Sequence, residues 1–435
     1  MRPDPSLDRR EFLKAAVALG GVSALSACLD RFEDDPEPVP TGADPDSLPA
    51  RQFAWNDRLP TDDAGNTVLP RHQTLWYLTL DGDGPPDAGE RETVAAALAT
   101  LDRAYERSNE GLLSLVAYSP AYFERFDDPL PESVDLPRPR ALSTFEDPAL
   151  DEQDALLHLA SDRPDVLLEA EEALKGEVDE ANGETVEAAL TDVFTLDDRR
   201  TGFVGDGMPR EAAAETQLSG IPEGNPIPEE SPLFMGFKAG LKRNQASEDA
   251  VTIPEGPFAD GTTLHVSNIR QRLDDWYGEQ DHDQRVMEMF SPTHVTEDLV
   301  PEGSVGTELG DFSGVTREII DRIEDDALEF GRVGHAQKAA RANRDAGGDA
   351  LLLRRHFEST DDDAASLHFP SLQRGISQFE AVREAMNGAD LTQVTPAIRQ
   401  RVNNGILEYI FTDHRGNFLV PPRDRRALPP AAPDA

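Results

Sequence analysis

Three short clusters carry the residues whose types and spacing could do chemistry. The first is the glycine-rich run 202–207, which contains Asp206 and Gly207. Glycines let the backbone pass close to a ligand while the carboxylate of Asp206 points at it. An ordinary Asp-Gly turn gives the same pattern, so the cluster indicates a candidate acid–base residue and leaves the turn open.

The second cluster, 330–345, places His335 directly after Gly334 and at the start of a stretch of small residues with helical character. An imidazole presented there could ligate a metal ion or a haem iron, although a lone histidine is more often structural. Asn343 lies near the end of the same stretch.

The third cluster is the pair Arg354-Arg355, which follows the apolar run 351–353. Two guanidinium groups at this position could stabilise negative charge that develops in a closed site. A strand that ends at the surface gives the same pattern, and the sequence does not choose between Arg354 and Arg355. No zinc, P-loop, dinucleotide or Ser-His-Asp pattern accompanies these clusters.

The elements that must position these residues alternate between strand-like and helix-like patterns. In the first half the patterns predict strands over 73–80, 111–118 and 155–160, and helices over 91–105 and 166–174. In the second half they predict strands over 232–237, 263–267, 365–369 and 417–420, and helices starting at 270 and spanning 376–386. This order predicts an α+β protein of two ferredoxin-like halves, 61–215 and 216–425, whose antiparallel sheets face each other with helices outside.

Taken in order along residues 73–422, these segments resemble the dye-decolourising (DyP-type) haem peroxidase family. Residues 201–207 are similar to its Gly-Phe-x-Asp-Gly segment with the distal aspartate, although one extra residue separates Gly202 from Asp206. Gly334-His335 is similar to its proximal-histidine segment, and residues 353–355 are similar to the Leu-Arg-Arg that supplies its distal arginine.

The resemblance implies a DyP-type, dimeric α/β-barrel-like fold with haem b bound in the C-terminal half. It makes His335 the axial iron ligand, Asp206 the acid–base residue and Arg354 the group that stabilises the departing oxygen. The further residues that it assigns to the haem are Gly207, Asn343 and Arg355. It implies hydrogen peroxide and a small organic reductant as partners, and it allows a homo-oligomer.

Two other functions stay open at this point. A haem- or ligand-binding lipoprotein on the same fold, acting in iron or haem handling, would need no catalysis. A structural surface lipoprotein would need no cofactor.

The N-terminus predicts export. Arg9-Arg10 precedes the short apolar run 15–27 and then Cys28, a layout typical of a Tat signal that ends in a lipobox. We expect residues 1–28 to be the signal, Cys28 to carry the lipid, and the protein to sit on the outer face of the cytoplasmic membrane with no other membrane contact. Residues 29–60 are predicted to be an acidic, Pro-rich spacer and 426–435 a loose tail. Cys28 is the only cysteine, so no intramolecular disulfide is possible.

The chain is strongly acidic, with 84 Asp and Glu against 41 Lys and Arg and a formal net charge of -43. This charge disfavours nucleic acid as a partner, because a nucleic-acid binder needs a positive surface. Only five of the basic residues are lysine, and the acids are spread along the chain. Such a composition is typical of halophilic surfaces, where concentrated salt screens the self-repulsion.

Overall fold

A computed structural model of the chain describes residues 37–215 and 218–433. Its strands are β1 His72–Leu80, β2 Leu113–Tyr118, β3 Ala149–Asp151, β4 Ala155–Ser161, β5 Glu180–Ala181, β6 Glu184–Thr185, β7 Phe194–Phe203, β8 Thr262–Gln271, β9 Leu353–Arg354, β10 Phe357–Ser359, β11 Ser366–Gln373 and β12 Ile410–Val420. Its helices are α1 Ala88–Ala104, α2 Pro120–Phe123, α3 Pro164–Lys175, α4 Met208–Glu215, α5 Glu248–Val251, α6 Leu273–Gly278, α7 His282–Met289, α8 Pro292–Thr296, α9 Arg317–Asp321, α10 Ile323–Phe330, α11 His335–Ala342 and α12 Ile376–Met386.

Eight strands close into an antiparallel barrel in the order β10-β7-β1-β4-β2-β12-β8-β11, and β11 pairs back with β10. Strands β7, β1, β4 and β2 come from the first half of the chain, whereas β12, β8, β11 and β10 come from the second. Within each half the fourth strand lies beside the first, and the third beside the second, which is the ferredoxin-like order. The two seams are narrow: Glu358 pairs with Phe203 at one, and Leu419 with Tyr118 at the other. The predicted α+β barrel is therefore confirmed.

Alternation along the strands divides the apolar residues between two cores. On β1, Leu75 and Tyr77 face the barrel interior, where they meet residues of the second half such as Val266 and Phe418. Trp76 and its outward-facing neighbours instead pack against α1 and α3 on the outside of the first half. Successive strand residues point to opposite faces, so one strand supplies both cores.

Most of the predicted elements lie where their patterns place them, with ends that extend further. The helix predicted over 91–105 begins at Ala88, because the side chain of Asp87 caps it and Glu90 completes a capping box. The helix predicted over 376–386 has those bounds. The helix expected from 270 instead begins at Leu273, since β8 continues to Gln271.

The strand predicted over 232–237 is wrong. Gly236 has a φ of +87°, and the segment turns there. Its backbone groups bond to side chains, with the N–H of Phe234 donating to Glu358 and its carbonyl accepting from the Tyr277 hydroxyl. An apolar run with such partners can be buried without joining a sheet.

Candidate functional site

A cavity of about 200 Å³, taken as the space open to the centre of a water molecule, lies outside the second half of the barrel. We call it the central cavity. Its strand wall is formed by outward-facing residues of β8 to β12, among them Ile269, Leu367 and Phe369. Its helical wall is formed by α7, α11 and the segment 233–244. Most of the lining is apolar, so the few polar groups that face the cavity stand out.

His335 is the first residue of α11 and lines the helical wall. Its position depends on Gly334, where an added Cβ would lie 1.8 Å from the carbonyl oxygen of Phe290. In the described part of the chain no hydrogen-bond partner is found for the His335 ring. Burial lowers its pKa to about 3, with smaller contributions from Lys338 and Arg354. His335 therefore presents a neutral imidazole to the cavity, which is the form that binds metals.

Arg354 lies on the strand wall, at the end of β9. The side-chain oxygen of Gln245 accepts from the backbone N–H of Arg354 at 3.1 Å and from the Nε of Arg354 at 3.2 Å. No described carboxylate forms an ion pair with it. Burial lowers its pKa to about 10, and the charge of Arg344 adds to this. The guanidinium remains charged at neutral pH, and a buried cation without an anion favours an anionic ligand.

Arg355 points away from the central cavity, because consecutive strand residues face opposite sides. Its Nη2 donates to Glu248 Oε1 at 3.0 Å and to the carbonyl of Phe53, and its guanidinium lies over the ring of Trp55. These contacts occupy it inside the protein. Of the two arginines, the structure brings Arg354 to His335's cavity and keeps Arg355 away from it.

Asn343 lines the cavity, but its side-chain oxygen accepts from the N–H groups of Leu351 and Leu352, both at 3.1 Å. It thus joins the end of α11 to the segment that leads into β9. Its neighbour Arg344 also lines the cavity, donates to Asn244 Oδ1 at 3.3 Å and has no ion pair with a described carboxylate. The cavity therefore has a second unpaired cation near Arg354.

Asp206 and Gly207 do not reach the central cavity. Asp206 is exposed in the turn between β7 and α4, and neither residue lines the cavity. Gly207 has a φ of +80°, and its N–H donates to the carbonyl of Ser231, so the turn itself requires this glycine.

Sequence reasoning missed two further groups in the cavity, His356 and Glu358. Both are buried and line the strand wall. Burial, aided by Arg354, lowers the pKa of His356 to about 3, and its ring stacks near Phe369. The signal that could have found them is alternation, since positions 354, 356 and 358 all point outward from the barrel.

Glu358 is the one acidic residue among the described lining residues of the cavity. Its carboxylate accepts from the N–H of Phe234 at 2.8 Å and from Gln271 Nε2 at 2.6 Å. Burial raises its pKa to about 8 against these two hydrogen bonds. Glu358 is therefore mostly an uncharged carboxylic acid at neutral pH.

The predicted signal and Cys28 lie outside the described residues. Within residues 37–215 and 218–433, no helix is both long and apolar enough to cross a membrane. The same residues contain no cluster of three or more His, Cys, Asp or Glu side chains that could hold a metal ion.

Comparison with known proteins places the chain by sequence and by fold. The sequence profile described as a family of unknown function (DUF7405) matches residues 70–422. No curated protein matches the chain in sequence. The encapsulated DyP-type peroxidase from Mycobacterium smegmatis superposes with a TM-score of 0.51 at 15% identity, over 86% of this chain and 100% of that one. A variant of DypB from Rhodococcus jostii RHA1 in complex with heme gives 0.50 at 15% identity, over 86% and 98%. At such identity the likeness establishes the shared fold.

Proposed function

This chain belongs to the family of unknown function DUF7405, and we propose that it is a haem-dependent peroxidase that reduces hydrogen peroxide with an organic electron donor. The proposal is carried by one observation. The neutral, unpartnered imidazole of His335 shares a mostly apolar cavity with the unpaired guanidinium of Arg354. The fold that the chain shares with DyP-type peroxidases, one of them a haem complex, supports the same proposal.

The residues present fit a haem. A porphyrin is flat and apolar, and the side chains of Phe237, Ile269 and Phe369 supply a matching surface. Its iron needs an axial ligand, which His335 would supply through a ring nitrogen. Its carboxylates need a cation, and Arg344 lines the same cavity without an ion pair to a described residue. We therefore propose haem b as the cofactor.

The chain's own groups divide the work around that cofactor. Bound haem would supply the iron chemistry that exchanges electrons with peroxide. Arg354 would bind and orient the peroxide and stabilise negative charge on its oxygen, in a place where the low dielectric strengthens that interaction. The apolar walls would exclude bulk water, and His335 would hold the group from the helical side.

The test is peroxide-dependent oxidation of a dye by the haem-loaded full chain. We expect turnover that depends on both haem and peroxide, and a loss of about 10²-fold or more in Arg354→Ala. Arg317→Ala is the matched control, because Arg317 is an exposed arginine that does not line the cavity. Haem-loaded wild-type protein without turnover would refute the peroxidase assignment.

A second candidate is a haem-binding protein without catalysis, for instance in haem handling. It is favoured by the exposed position of Asp206, since the acid–base group expected from the family pattern is outside the cavity. This candidate predicts the same haem binding through His335 but no peroxide turnover, so the dye assay separates the two.

We also propose that the chain is exported by the Tat route and anchored by a lipid at Cys28. The twin arginines and the lipobox pattern support this. Replacing Arg9 and Arg10 by lysine should leave the protein inside the cell, and Cys28→Ala should release it from the membrane fraction. Wild-type protein found in the cytoplasm would refute the proposal.

A further inference from the structure

Glu358 occupies an unusual place in the barrel. It lies on β10, the three-residue strand that closes the seam between the two halves, and it pairs there with Phe203. Its side chain points outward into the central cavity, on the same side as Arg354 and His356. A carboxyl group is rarely buried without a cation, and Glu358 forms no ion pair with a described residue.

The surroundings of Glu358 keep its carboxyl uncharged. Across the ladders it faces Phe203 and Leu367, neither of which is titratable. The hydroxyl of Tyr277 lies behind it and donates to the carbonyl of Phe234. The charged and titratable groups that share its cavity are His335, His356, Lys238, Arg344 and Arg354.

The histidines and arginines among those neighbours keep their charge state near neutral pH. Both histidines are already neutral, because burial lowers the pKa of each to about 3. The arginines stay charged, and Lys238 is paired with Asp62 Oδ2 at 2.5 Å. Burial raises the pKa of Glu358 to about 8, so Glu358 changes charge in this range, whereas the histidines and arginines beside it do not.

We propose that Glu358, rather than Asp206, is the proton donor of the central cavity and serves a hydroperoxide-type ligand bound there. This inference rests on the proposed function and identifies the residue that acts as general acid in that reaction. The step assigned to Glu358 is a proton transfer: the O–H bond of the carboxyl breaks, and an O–H bond forms on an oxygen of the bound hydroperoxide. The two electrons that cleavage of the O–O bond requires come from the organic donor of the proposed reaction. The carboxylate keeps the negative charge until water returns a proton. Gln271 Nε2 holds the carboxyl in place at 2.6 Å and stabilises that charge.

The first arm of the test uses the full chain without haem. Infrared difference spectra between acidic and alkaline pH should show a protonated-carboxyl band that disappears with a midpoint near pH 8. The band should be missing in Glu358→Gln. This variant should fold, because the unpartnered Oε1 of Gln271 can accept from the new amide once the Gln271 amide rotates. A Glu358 carboxyl already ionised at pH 6 would overturn the proposal.

The second arm uses haem-loaded protein and measures the rate of reaction with hydrogen peroxide against pH. The wild-type rate should fall above about pH 8, whereas Glu358→Gln should be about 10²-fold slower and lack this pH dependence. Glu358→Asp should recover part of the rate and of the alkaline fall. Glu230→Gln, an exposed charge removal, is the control.

Two results would overturn the assignment in different ways. If Glu358→Gln binds haem normally and keeps the wild-type rate profile, Glu358 is not the proton donor, although the proposed function stands. The same follows if Asp206→Asn shows the large loss of rate instead. Failure of the wild-type chain to bind haem would overturn the proposed function and this role together.

Discussion

The two halves of the barrel share one strand order but differ on their outer faces. In the first half, α1 and α3 pack directly on the sheet, and Trp76, Leu157 and Val94 are fully buried between them. In the second half α12 packs on β8 and β11, with Phe379 stacked on His265, but α7 and α11 stand off from the sheet. Ile269 and Leu367 therefore face the central cavity. The same topology therefore gives a filled core on one side and a binding site on the other.

The difference originates in the connection after the first strand of each half. Residues 81–112 join β1 to β2 with the single helix α1. Residues 272–352 join β8 to β9 and carry the helices from α6 to α11, which hold His335 away from the sheet. A ferredoxin-like half acquires a pocket when a longer connection replaces the helix that would have covered its sheet.

Filling the cavity should make the second half resemble the first. Ala339 lines the helical wall, and Ala339→Phe places a ring where we expect the haem. Haem binding should be abolished while the free energy of unfolding changes little, as seen by absorbance titration and denaturant unfolding. The matched substitution in the filled core, Ala170→Phe, should instead destabilise the protein by about 1–3 kcal/mol or more. Equal stability costs at both sites would contradict the contrast.

The buried carboxyl of Glu358 should make stability depend on pH. Its pKa in the folded protein, about 8, is above its ordinary value of 4.5. The contribution of Glu358 to the free energy of unfolding is thus fully present below pH 4.5 and is lost as the pH rises to about 8. Compared with the wild type, Glu358→Gln should gain stability across this window, by at most about 5 kcal/mol. Chemical unfolding of both proteins at several pH values measures this.

Glu171 in the first half is the control for that experiment. It is also buried, but it accepts from Arg199 Nε at 2.7 Å and from Trp76 Nε1 at 2.6 Å. Glu171→Gln removes an ion pair and should destabilise the protein. A gain in stability for Glu171→Gln would show that the missing cation does not explain the behaviour of Glu358.

Truncation of strand residues should cost more on the filled face than on the open one. Leu157 is fully buried against α1 and α3, so Leu157→Ala should lose about 2–5 kcal/mol. Leu367 is half-buried and borders the cavity, so Leu367→Ala should lose about 1 kcal/mol. Denaturant midpoints compare the two, and a reversed order would contradict the assignment of filled and open faces.

The smallest effect is expected at Asp206. Its carboxylate is exposed in a turn outside the cavity, so Asp206→Asn should change the rate of reaction with peroxide by less than about threefold. Stopped-flow measurement on haem-loaded protein checks this. A loss of about 10²-fold would return the acid–base role to Asp206.

The sequence patterns predict the elements better than they predict the site. Apolar runs that end at turn residues place β1 and β4, and helical spacing places α12, because these signals depend only on residues near in the chain. The sequence could not decide between Arg354 and Arg355, because only the closed barrel defines which of the two side chains points outward to the cavity. The segment 232–237 has the composition of a strand, but distant partners, Glu358 and Tyr277, take its backbone hydrogen bonds.

Glu358 and Asp206 show why the site itself could not be predicted. Asp206 sits in a run that resembles a known segment, yet its side chain is exposed in a turn outside the cavity. Glu358 has no motif around it, and its chemistry arises from burial by Phe234, Gln271 and the seam of the barrel. Such surroundings come from contacts between residues far apart in sequence. The domain boundaries and the role of Asn343 as a haem contact stay predictions.

The most direct test of the account is which histidine binds the haem. His335 and His356 are both neutral and face the same cavity, one from the helical wall and one from the strand wall. We predict that His335→Ala loses the histidine-ligated haem absorbance band on titration, whereas His356→Ala retains it. An unchanged band in His335→Ala, or no haem band in the wild-type protein, would contradict the central claim.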